Sequence, residues 1–216
     1  MHVSSSKGSG TSKNFNSKDV IMLLLAARGH ANCEAEPIMG RVRLMKMVFL
    51  FEKEIKPALR KDSVNLEDIE FMALHYGPYS AKVYDDLNFL EQLGFIRCNP
   101  LQVSEPMEQV ENEYDYYLAE SALIDSPAIE PSESRIVYEY RLVDRGIRFC
   151  CEVLHPRLDS THLSLIDEFK ARCTSLPLPK LLYYVYTKYP KSTENSTIKD
   201  EILRGGGYEL PKSSKY

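Results

Sequence analysis

The chain has 216 residues, 44% of them hydrophobic and 27% charged, with a formal net charge of −4. That length buries a core without help from disulfides or a metal, and the charge excludes a surface that is basic throughout, as a polyanion-coating protein would need. No apolar run approaches a membrane span, and the opening residues lack the apolar stretch of a signal peptide.

Residues 1–16, rich in serine and glycine, are expected to form a flexible leader. Asn16 and Ser17 then offer a cap for an apolar helix that ends near Gly29. A second helix is predicted from Gly40 to Ile55, ended or bent by Pro57. Leu44, Val48, Phe51 and Ile55 make its apolar stripe, and its basic first turn is expected to be exposed.

Residues 71–80 run into an extended junction with a Gly77-Pro78 corner, where Gly77 has backbone freedom and Pro78 a fixed φ. Ser80 is expected to cap a third helix, ended by Gly94, with Val83, Leu87, Leu90 and Leu93 inward. Lys82, Asp85, Asp86 and Glu91 are expected to face outward. Residues 95–98 and 135–143 read as paired strands of a hairpin. Between them, residues 100–134 read as a weakly ordered acidic insertion containing Pro106, Pro127 and Pro131.

A short helix is expected over 144–154, broken by Pro156. Another should follow, capped by Ser160 or Thr161 and running through Ala171. Pro179 suits the first turn of a helix over 178–186. The last element spans 196–203, and residues 205–216 are expected to form a flexible tail. This order is that of a mainly α, α+β protein. It implies a single winged-helix-like domain over 17–204, with a small β-hairpin and additional C-terminal helices.

The five cysteines, Cys33, Cys98, Cys150, Cys151 and Cys173, are odd in number and include an adjacent pair, which points to a reducing cytoplasm. No zinc spacing, phosphate loop or nucleophile elbow occurs, so no metal, cofactor or catalytic residue is assigned. The candidate binding residues are Arg41, Arg43 and Lys46 on the second helix, and His75, Tyr76, Gly77, Pro78, Tyr79, Ser80 and Lys82 at the corner. Aromatic side chains on a rigid turn make low-entropy anchors for a partner, and the same letters also suit a structural clamp. The basic trio suits phosphates or a solvated face, and a lone His75 lacks a partner for acid-base work.

Four motifs carry a resemblance: residues 44–50 with Lys46 among them, the 75–80 corner, Leu90, Leu93, Gly94, Phe95 and Ile96, and 181–190 with Ser196 and Ile198. Over about residues 18–203 the chain resembles the bacterial YwgA-like family and, more distantly, SocA-like "Panacea" antitoxin domains. The resemblance implies a protein-binding module, antitoxin-like or part of phage defence, whose partner is a toxin or defence effector. The alternatives are a DNA-binding winged-helix regulator and a nucleic-acid-processing enzyme.

Overall fold

The structure is a computed structural model and describes residues 14–103 and 135–205. Expectations for 1–13, most of the acidic insertion (104–134) and 206–216 lie outside those residues. The leader is shorter than expected, because β1 (Asn14–Phe15) already pairs and Phe15 is buried.

Helix α1 (Ser17–Ala26) starts where a side chain can serve its free amides. Asn16 Oδ1 accepts from the Lys18 and Asp19 amides at 2.9 and 3.1 Å, and the Asp19 carboxylate accepts from the Asn16 amide at 2.9 Å. Replacing Asn16 by alanine is expected to cost about 1 kcal/mol in a urea titration. The helix is apolar nearly all round, so it lies inside: Ile21, Leu24 and Leu25 are fully buried.

Strand β2 (Ile38–Met39) leads into α2 (Arg41–Leu50), whose Met47, Val48 and Phe49 join the same core. The helix widens over Phe51–Ile55 into a π-turn, with the Lys56 amide reaching back to the Phe51 carbonyl, and continues as α3 (Lys56–Lys61). Pro57 has no N–H for the helical ladder, and the wider turn before it absorbs the mismatch. Strand β3 (Asn65–Leu66) pairs in parallel with β1.

Strands β4 (Met72–Leu74) and β5 (Gly77–Tyr79) form a hairpin turned by His75 and Tyr76. The Gly-Pro pair therefore lies in the second strand rather than at the corner. Helix α4 (Ala81–Gln92) follows, and Gly94 ends it at φ +67°. Then come the paired strands β6 (Ile96–Val103) and β7 (Arg135–Leu142), in register from Ile96 opposite Leu142 to Val103 opposite Arg135. Residues 100–103, expected in the insertion, belong to β6.

Strand β2 joins β7 on the side away from β6, giving the order β2-β7-β6. A helix, a strand, two helices and a hairpin, with the first strand completing the hairpin's sheet, make the winged-helix-like arrangement. Helix α4 occupies its recognition position. The edge strand β6 is guarded. The Cys98 amide, which points away from β7, is taken by Glu91 Oε1 at 2.8 Å. Pro100, two residues on and so facing the same way, has no amide to offer.

Helix α5 (Asp144–Phe149) continues through a second π-turn (Cys150–Leu154) and a 3-10 turn (His155–Arg157). Helix α6 (Ser160–Ser175) is capped by Asp159 rather than Ser160 or Thr161, and runs four residues past the expected end. Helices α7 (Leu178–Lys188) and α8 (Lys199–Gly205) complete the chain described. Among the described residues no helix is long and apolar enough to cross a membrane.

Candidate functional site

The structure separates the predicted basic trio. Lys46 is completely buried, and its Nζ donates to the carbonyls of Tyr76 at 2.7 Å and Pro78 at 3.0 Å. Desolvation lowers its pKa to about 7. Arg43 is buried as well, and donates to the Cys173 and Leu176 carbonyls at 2.8 and 2.7 Å, closing the end of α6. The expected exposed basic turn is thus mostly internal, because main-chain carbonyls of neighbouring elements need donors there. Only Arg41 stays partly exposed, its guanidinium 3.7 Å from the centre of the Tyr138 ring.

The 75–80 segment is held from several sides. Gly77 and Pro78 are buried, and a Cβ at Gly77, which has φ +83°, would lie 3.1 Å from the Tyr186 ring. The His75 carbonyl accepts from Ser196 Oγ and the Thr197 amide, both at 2.9 Å, while Asn195 donates to the Ala73 carbonyl at 3.0 Å. His75 itself is exposed, and Tyr76 and Tyr79 are half-buried. The main chain of the corner is a clamp, and its tyrosine side chains remain accessible in part.

Two further expectations are corrected. Ser80 Oγ is buried with no hydrogen-bond partner among the described residues, so it does not cap α4. Asp86 faces inward rather than outward: it accepts from Ser17 Oγ and from Lys18 Nζ at 3.1 Å, and pairs with Lys82 at 3.6 Å. A carboxylate at the start of α1 also complements that helix's dipole.

An accessible site does form beside the corner, between α4 and the sheet. A groove of about 400 Å³ has Arg41 and Tyr138 on one wall, and Tyr84, Asn88 and Glu91 on the other. Tyr79 extends it, its ring centre 5.7 Å from that of Tyr84. Of the residues singled out from sequence, Arg41 lines this groove and Tyr79 is next to its Tyr84, whereas Lys82 pairs with Asp86 on another face of α4 and Arg43 and Lys46 are buried. Tyr84, Tyr138 and Phe89 were missed. The signal for Phe89 was legible: it lies off the buried Val83, Leu87 and Leu90 stripe, and is 48% exposed. Leu93, expected inward, is 38% exposed.

Arg41 and the tyrosines Tyr84, Tyr138 and Tyr140 line the groove, and Met72 and Phe89 are exposed. These residue types are enriched where proteins meet proteins. Among the described residues, no three His, Cys, Asp or Glu side chains are grouped to hold a metal. The Glu54 carboxylate accepts from Arg172, Lys188, Tyr184 and Tyr189, which ties the first π-turn to α6 and α7. No family model, curated protein or solved structure matches the chain.

Proposed function

We propose that this protein is a protein-binding module that holds and controls a partner protein through α4 and the adjoining groove. The observation that carries the reading is the exposed face of α4, which presents Phe89 and Leu93 beside Asp85, with the Lys18 ammonium 5.4 Å from the Phe89 ring centre. Its one lysine in the first turn, Lys82, is paired with Asp86. A recognition-position helix whose neighbouring lysines are already paired and whose face carries Phe89 and Leu93 offers apolar anchors rather than free cations for phosphate. The family resemblance of the sequence adds an antitoxin-like or defence role in the cytoplasm, the partner being a toxin or effector.

A photo-crosslinking side chain at position 84, in the native host, tests the reading. The expected result is one defined protein adduct, lost when Phe89→Asp is added and not formed from a probe at Glu168 on α6. Relief of that partner's toxicity on co-expression is expected for the antitoxin role. Nucleic-acid adducts, or adducts unaffected by Phe89→Asp, would overturn the reading.

A DNA-binding regulator is the second reading, and one observation favours it. Arg97 and Arg141 are directly opposite each other on the hairpin and both are exposed. A wing carrying two adjacent guanidinium groups suits a phosphate backbone. Duplex affinity that falls steeply with salt and is lost in an Arg97→Ala, Arg141→Ala variant would establish it.

A further inference from the structure

A cavity of about 330 Å³ opens between α1, α5 with its π-turn, and α6. Its volume is at the lower end of the range for small-molecule sites, about 300–1,000 Å³. The floor is apolar and unfilled because small side chains, Ala26, Ala27 and Ala35, stand where larger ones would close it. Two features show that the fold sustains this space against a cost. Ala35 has φ +51°, a conformation that a residue with a Cβ adopts at about 1–2 kcal/mol. The opposite wall is the Cys150–Leu154 π-turn, a widened helical geometry that recurs at functional sites.

The mouth is polar, with Arg28, Glu34, His155 and Asp167 around it. Arg28 is already committed, its guanidinium donating to Glu34 at 2.8 Å and its amide to Asp167 Oδ1 at 2.8 Å. Lys170, behind Asp167, spends its ammonium on the carbonyls of Leu25, Ala27 and Glu36. The other Asp167 oxygen has no hydrogen-bond partner among the described residues. His155 is half-buried, and burial favours its neutral form. The charges acting on it are the carboxylates of Asp167 and Glu34, which favour the cation. The mouth therefore combines an open carboxylate oxygen with an apolar chamber.

We propose that this cavity binds a small amphipathic amine, the apolar body in the chamber and the ammonium on Asp167. The site is independent of the protein-binding reading, since it shares no residue with the groove. The test is an NMR titration of the full chain with three compounds of similar shape: 2-phenylethylamine, 2-phenylethanol and 3-phenylpropionate. Saturable shifts at Ile147 and Leu163 are expected with the amine, at an affinity about tenfold above the alcohol, or 1.4 kcal/mol. The carboxylate should not bind.

Asp167→Asn keeps an oxygen for the Arg28 amide and is expected to abolish the preference for the amine. Glu34→Gln, at an exposed position, should weaken that preference without touching the core. Ile147→Trp, at the rim, should block all three compounds. Equal binding of amine and alcohol by the unmodified protein would overturn the proposal. So would the absence of saturable shifts at millimolar amine, or a preference that survives both charge-removing variants.

Discussion

Replacing Gly146 by alanine is expected to destabilise the protein by about 3 kcal/mol, at the upper end of overpacking effects. A Cβ at Gly146 would lie 2.1 Å from the Phe95 carbonyl oxygen and 3.0 Å from a Leu142 methyl carbon. The first contact decides the magnitude, because the obstructing atom is main chain and cannot swing aside as a side chain does. Phe95 links α4 to β6, and its carbonyl accepts from the Val143 amide at 3.1 Å. Relief of the clash requires α5 to withdraw from the root of the hairpin.

Gly94 provides the contrast. It has φ +67° and nothing within 4 Å of an added Cβ, so Gly94→Ala meets only conformational strain, about 1 kcal/mol. Denaturant titrations of both variants should show the larger fall in midpoint for Gly146→Ala. Equal losses would mean that α5 is free to shift, and that the close approach does not hold the hairpin root.

These two glycines also mark what could be read from sequence. Gly94 was legible because a helix end has a local grammar: an apolar stripe stops, a glycine follows, and an apolar strand begins. The Asn16 cap and the pairing of residues 95–98 with 135–143 were legible for the same reason, since each rests on neighbours in sequence or on β-branched patterning. Gly146 carried no such signal. Its requirement comes from a carbonyl fifty-one residues away, and only the assembled fold brings the two together.

The site residues divide along the same line. Lys46 and Arg43 read as surface cations because polar residues near a helix start usually are. Here carbonyls from the 75–80 segment and the end of α6 approach α2 from outside, and cations fill the roles that water would fill at a surface. Asp86 read as outward for want of a visible partner, which α1 supplies at a separation of 68 residues. The groove itself is assembled from α2, α4 and both hairpin strands. Its aromatic residues were therefore individually unremarkable in the sequence.

The second large effect is expected at Lys46. Lys46→Met keeps most of the side-chain volume and removes the ammonium that donates to both the Tyr76 and Pro78 carbonyls. Leaving buried acceptors unpaired costs about 1–3 kcal/mol each, so a loss of about 3 kcal/mol is expected near neutral pH. The loss should depend on pH in a definite direction. Burial lowers the folded-state pKa to about 7, against 10.5 for the free side chain. Between those values the unfolded chain holds a proton that the folded chain has released, so the stability contributed by this group rises with pH.

Below about pH 7 both states are protonated and the contribution is level. Above it, the gain is at most about 1.4 kcal/mol per pH unit. A neutral amine still has two N–H donors, which match the two carbonyls, so deprotonation sacrifices neither bond. The stability difference between the unmodified protein and Lys46→Met should therefore widen from pH 7 to pH 9, measured by urea unfolding at each pH. Lys170, whose pKa burial lowers to about 8, changes both proteins alike and cancels in the difference. A difference that stays flat would mean that Lys46 keeps its proton in the fold. A loss well below 1 kcal/mol would mean that water replaces it at the corner, and the clamp would then hold through its other contacts, among them those of Asn195, Ser196 and Thr197.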